Sequence, residues 1–194
     1  MSKPSLVIVL AEDQRQRQFI YRFLKNAGIR SDQIRALISP SGRGSAEQWV
    51  RENFALQAAK CRARTVRADT GMVVLLDADL QNVSERLAAL DNALISAGQN
   101  PIDRSRDLIA RLIARRNIET WILFLATGGV ANPQIDESTD YKKTRNGDEW
   151  SELIPTASQK LFAWTRPRAV LPVNIIDSLQ RGIDEISRAL TALA

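Results

Sequence analysis

Apolar positions along this chain follow two alternating rhythms. Leu6-Val7-Ile8-Val9-Leu10-Ala11 is an unbroken apolar, largely β-branched run, the pattern of a strand covered on both faces. After the polar Glu12-Asp13-Gln14, residues Phe19, Ile20, Phe23, Leu24 and Ala27 recur every three or four positions, which predicts a helix closed by Gly28. A second short strand is expected over 34–38, ended by Ser39-Pro40-Ser41-Gly42-Arg43-Gly44-Ser45. The last serine of that loop suits an N-cap for a helix carrying Trp49, Val50, Phe54 and Ala58. Met72-Val73-Val74-Leu75-Leu76 is the clearest buried strand. Asp77-Ala78-Asp79 closes it, and Val83, Leu87, Leu90 and Leu94 mark the next helix. Residues 108–114 read as a fourth strand, followed by Asn117 as a cap for a helix holding Ile118, Trp121, Ile122 and Leu125. Four strand–helix alternations predict an α/β fold over 1–128: a four-stranded, mainly parallel sheet flanked by helices, with right-handed crossovers.

Beyond Gly128-Gly129 the rhythm breaks. Asn132-Pro133, the acids Asp136, Glu137 and Asp140, then Tyr141-Lys142-Lys143 and Asn146-Gly147 predict a long loop. Two helical patterns follow, one over 150–164 and one on Ile175, Leu179, Ile183, Ile186 and Leu190, separated by Pro167 and Pro172. Residues 129–194 are expected to form a loop and helical extension packed on the sheet domain, because so short a segment makes a marginal core by itself.

Composition then removes whole classes of chemistry. The 194 residues include no histidine and one cysteine. Ser-His-Asp and Cys-His catalysis, imidazole-ligated zinc or haem, cysteine-built zinc sites and internal disulfides are excluded. Carboxylates, lysines, hydroxyls and hard metals remain. No apolar run reaches the roughly 18 residues of a membrane span, and the N-terminus lacks a signal pattern, so a cytoplasmic protein without membrane contact is expected. Lys plus Arg number 27 against 22 Asp plus Glu, a net +5 that leans weakly toward phosphate-bearing partners. Cys61 is expected as a free structural thiol. Trp49, Trp121 and Trp150 fall on apolar stripes and are expected to pack, while Trp164 is open between packing and base stacking.

In open parallel sheets the carboxyl ends of the strands share one rim, where ligands bind. Glu12 and the Asp77/Asp79 pair sit at such ends, and strand alternation through Ala78 would point both aspartates to one side. Gathered carboxylates repel unless a proton or cation intervenes, and Mg2+ or Mn2+ is the natural oxygen-seeking partner. Glu12 would complete the shell or serve as the acid/base group. The fourth strand ends at Arg115-Arg116-Asn117-Ile118-Glu119, which brings Glu119 toward the same rim. The structural alternative for these acids is turn formation or helix capping, and for Glu119 a first-turn dipole contact. Asp13 is read as a solvated helix-start residue. Arg43, between two glycines, and Arg115, Arg116, Lys142 and Lys143 are candidates for substrate phosphate, with solvated charge as the alternative. Arg62, Arg64 and Arg67 would form a backbone-tracking stripe or merely flank a strand. No P-loop motif is present, which leaves a nucleotide-binding regulator as a weaker option.

A glutamate after the first apolar strand and D-x-D after a later one, in a four-strand α/β unit, resemble the Toprim domain of topoisomerases, primases and OLD-family nucleases. The likeness spans about residues 5–126. It implies that Glu12 assists proton transfer and that Asp77 and Asp79 bind magnesium for phosphodiester chemistry. Arg116-Asn117-Ile118-Glu119-Thr120-Trp121 is similar to a feature of small Toprim-like proteins from prokaryotic defence loci, which implies a place for Glu119 in the site. Asp13 stands where Toprim sequences usually have glycine, Gln16 where OLD-type enzymes offer another acid, and Leu80 where a small residue is common. Those departures leave open whether one metal or two is held. The expected function is a magnesium-dependent nuclease or phosphoryl-transfer protein acting on nucleic acid, within a phage-defence system. The alternative is a non-catalytic nucleic-acid-binding or scaffold subunit with a protein partner in such a complex.

Overall fold

A computed structural model describes residues 4–40, 42, 45–66, 68–129 and 135–190. Four strands, β1 (Leu6–Ala11), β2 (Ile34–Ile38), β3 (Thr70–Asp77) and β4 (Ile109–Ala114), alternate with helices α1 (Gln14–Asn26), α2 (Ala46–Thr65), α3 (Val83–Ser96) and α4 (Ile118–Ala126). Two further helices follow, α5 (Gly147–Trp164) and α6 (Asp177–Ala189). The strands are all parallel, in the order β2-β1-β3-β4. The fold is the expected α/β sheet flanked by helices.

Strand alternation divides the core in two. Val7, Val9, Val73, Leu75 and Leu112 face a layer built by α1, α4, α5 and α6. Ile8, Leu10, Met72, Val74, Leu76 and Ile113 face α2 and α3. Both faces are covered, which is why the strands read as continuous apolar runs. α5 and α6 contribute Trp150, Ile154, Leu179, Ile183 and Ile186 to the same core as α1 and α4. Gly182 of α6 lies so close to Trp121 that an added Cβ would come 2.4 Å from its ring, and the Trp121 indole N–H donates to Ser178 Oγ at 2.7 Å. Trp164 packs edge-on against Phe124, and Trp49 is half-buried against the α2–α3 layer.

Local chemistry sets the helix starts. Asp13 is more than a solvated start residue: it caps α1 by accepting from the Gln16 N–H at 2.8 Å. Ser45 caps α2, Asn82 and Glu85 form a capping box on α3, and Asn146 caps α5. Two expectations need correction. α2 continues to Thr65, so Arg62 and Arg64 ride its last turns. Asn117 precedes α4 but makes no capping bond. Its side-chain amide donates instead to Asp140 at 2.8 Å, because a carboxylate from the end of β3 already occupies the capping position. Cys61 is buried and free. Burial pushes its thiol up to about 11, so the neighbouring cations do not activate it. Among the described residues, no helix is long and apolar enough to cross a membrane.

Candidate carboxylate site at the sheet rim

Register brings the first two acids together. Ala11 pairs with Leu75 across β1 and β3, so Glu12 leaves its strand beside the end of β3. Glu12 Oε2 accepts from the Asp77 backbone N–H at 2.9 Å and from Gln16 Nε2 at 2.8 Å. The same Gln16 nitrogen donates to Asp77 Oδ1 at 3.0 Å, and Gln16 Oε1 accepts from the Glu12 backbone N–H at 2.9 Å. Gln16 is therefore a buried crossbar between the carboxylates. It occupies the position on α1 that continues the Phe19, Ile20, Phe23 and Leu24 stripe inward.

Asp77 is enclosed. Its Oδ1 also accepts from the Ile118 N–H at 2.9 Å, which makes it the cap of α4 supplied from another element. Its Oδ2 accepts from Lys142 Nζ at 2.9 Å. Burial, and then the negative charge of Glu12, push the Asp77 carboxyl up to about 8. Glu12 is raised as well, chiefly by burial, against the lowering pull of the Asp77 N–H and the Gln16 amide. Burial tends to lower the Lys142 ammonium, but the charges of Asp77, Glu119 and Asp79 outweigh it and hold the lysine firmly protonated.

Glu119, in the first turn of α4, is fully buried and ion-paired with Arg15 of α1. Its Oε2 is buried without a hydrogen-bond partner. Asp79 departs from the expectation. β3 ends at Asp77, and Asp79 adopts φ 53°, so the alternation that would have aligned the two aspartates stops. The Asp79 side chain is 55% exposed and faces Arg86 at 3.6 Å, a guanidinium also bonded to Glu47 at 2.9 Å. Even so, Asp79 lies near enough for its charge to act on Glu12 and Lys142. The rim thus gathers Glu12, Asp77, Glu119 and Asp79 around one lysine ammonium.

Among the described residues, no three carboxylates stand in a geometry that holds a metal. Lys142 sits where their charges converge. The donor chemistry suits a hard divalent ion, since every donor is a carboxylate oxygen and Glu119 Oε2 is unsatisfied, although Lys142 holds the central position.

The other phosphate candidates scatter. Arg116 donates to the Asp79 carbonyl at 3.0 Å at the lip of the site. Arg115 and Lys143 are exposed. Arg62 does not form a surface stripe, being bound to Asp107 at 2.7 Å, while Arg64 is exposed. Arg43 and Arg67 lie outside the described residues. Sequence reasoning missed the Gln16 crossbar and the Arg15–Glu119 pair. A glutamine on an apolar helical stripe was the available signal for the first, since a polar group there must be satisfied internally. No family model, curated protein or solved structure matches the chain.

Proposed function

We propose that this chain is a magnesium-dependent phosphodiesterase acting on nucleic acid, the activity that the Toprim resemblance implies. The observation that carries this reading is the set of carboxylates converging on a single tethered ammonium, with Asp77 pushed up to about 8 and one Glu119 oxygen unsatisfied. A carboxyl perturbed by burial together with a specific charge partner at a strand-end rim is a functional-site candidate. Among the described residues the carboxylates do not stand as a ready metal shell, so holding an ion would require Lys142 to leave Asp77, with Glu12 and Glu119 as the neighbouring donors and Asp79 at the exposed lip. A bound divalent ion supplies a water of lowered pKa and neutralises charge on the phosphate. Burial raises the Glu12 carboxyl from its ordinary value, and the resemblance would give it the acid/base role where it does not complete the shell. Gln16 fixes the Glu12 orientation, and Arg116 flanks the lip through which a phosphate would approach.

Gln16 also favours a second reading, a non-catalytic nucleic-acid-binding or scaffold subunit of a defence complex. It offers a neutral amide where a further acid would strengthen a metal site, and Lys142 already offsets part of the charge. One experiment separates the two. Labelled single- and double-stranded DNA and RNA are incubated with magnesium, manganese or EDTA, using wild type, Asp77→Asn and Glu12→Gln. Metal-dependent products that vanish in both variants support the enzyme. Unchanged cleavage in Asp77→Asn rejects the site assignment. Binding without products in any metal supports the scaffold.

A further inference from the structure

α1 carries a second set of polar groups on its outer face. A groove of about 860 Å³ runs between α1 and α5, and three of its lining residues are the cations Arg17, Arg22 and Lys25. No Asp or Glu lines it, the opposite wall offering neutral groups such as Ser151 and Gln159. None of the three cations has a carboxylate within ion-pair reach among the described residues, whereas Arg15, Arg62, Arg86, Arg104 and Arg111 are all paired. Tyr21 stands among them with the Arg17 guanidinium 5.9 Å from its ring centre. Lys25 is near enough to Asp32 for their charges to interact without pairing. Three cations free of ion pairs in a concave surface, beside an aromatic ring and neutral hydrogen-bonding groups, fit a phosphodiester backbone better than an isolated anion.

Location gives the groove its meaning. Arg17 follows Gln16 directly, so one turn of α1 presents the carboxylate crossbar inward and the first groove cation outward. From Arg17 to Lys25 the helix rises about 12 Å, leading away from the rim. A cationic groove that tracks a backbone beside an aromatic ring on which a base can stack is the arrangement by which single strands are held. We propose that the α1–α5 groove seats single-stranded nucleic acid, its phosphates on Arg17, Arg22 and Lys25, and delivers that strand to the rim. The delivery clause rests on the nuclease reading above; the binding clause does not.

The test is fluorescence anisotropy with labelled oligo(dT) and a labelled duplex of equal length, in EDTA so that cleavage plays no part. The triple variant R17Q/R22Q/K25Q is expected to lose at least about tenfold in affinity for the single strand and to flatten the dependence of log K on log salt by about two. The remote pair K60Q/R64Q should change affinity less than about twofold, by the same count of phosphate contacts. S151E/Q159E leaves the cations in place but sets carboxylates opposite them, and is also expected to weaken binding; melting curves check that each variant is folded. No binding by wild type, equal loss in K60Q/R64Q, no loss in folded R17Q/R22Q/K25Q, or tighter binding of the duplex overturns the proposal. Groove-dependent binding without metal-dependent cleavage retires the nuclease reading and keeps the groove. Cleavage with groove-independent binding does the reverse.

Discussion

Two ion clusters bracket the sheet on opposite plans. At the amino ends of β3 and β4, the Arg62 guanidinium donates to Asp107 at 3.1 and 2.7 Å, to Gln99 Oε1 at 3.4 Å, and to the carbonyls of Asn100 and Pro101 at 3.1 and 3.0 Å. Asp107 Oδ2 also accepts from the Asp103 N–H at 2.9 Å. All three nitrogens of the guanidinium and both carboxylate oxygens are used. At the carboxyl ends, four acids meet one lysine and two arginines, Arg15 and Arg86, a buried oxygen has no partner, and the central carboxyl is pushed up to about 8. A network that serves folding closes its hydrogen bonds. The rim leaves an acceptor open and crowds its acids, which costs stability and makes it the candidate for a site that binds something else.

The largest expected effect is on chemistry. Glu12→Gln should lower metal-dependent cleavage by about 10² to 10⁴-fold, the range for losing an acid/base group, with little change in melting temperature. The mirror experiment is Arg62→Ala. Leaving the Asp107 carboxylate and two carbonyls without their donor should cost about 1–3 kcal/mol in urea unfolding, with cleavage by the folded protein intact. If both substitutions fell equally on cleavage, or equally on stability, the contrast between the clusters would fail.

A third expectation concerns pH. The folded state raises the Asp77 carboxyl from 3.8 to about 8, so folding favours its protonated form. The stability this contributes is complete below the unfolded carboxylate range and is lost as pH rises through about 8. In metal-free buffer the melting temperature should fall from pH 6 to 9, and Asp77→Asn should flatten that fall. A wild-type profile that is level over this window would remove the electrostatic half of the contrast. The smallest effect is expected from Lys142→Gln. Asp77 is only 2% exposed, but without the ammonium it takes a proton and keeps its Gln16 and Ile118 donors, so losing the pair should cost about 1 kcal/mol. Removing an ammonium that competes for the same oxygens should tighten divalent-ion binding, as read by calorimetry; weaker binding would instead make Lys142 part of the ligand shell.

Much of this layout is legible in the residues. Continuous apolar runs rich in β-branched residues over 6–11 and 72–76 read as strands buried on both faces, and with helical crossovers between them the strands run parallel and carry Glu12 and Asp77 to one rim. Glu119 follows from the same logic applied to β4. Period-two alternation fails at Asp79, because nothing in D-A-D announces that Asp77 caps α4 and that the backbone turns left-handed beyond it. Lys142 was legible as a cation but not as the partner of Asp77, since 65 residues and a loop without periodicity separate them. Arg17, Arg22 and Lys25 carry no signal in the sequence beyond the polar face of an amphipathic helix, because the opposite wall of their groove comes from the distant α5.

The central claim is that the rim acids jointly hold a divalent ion in place of the Lys142 ammonium. Manganese titration followed by the electron paramagnetic resonance of the free ion tests it directly. The expected result is loss of free-ion signal on adding wild type, reversal by excess magnesium, and no such loss with folded Asp77→Asn. A signal undiminished by wild type, or diminished equally by Asp77→Asn, would contradict the claim.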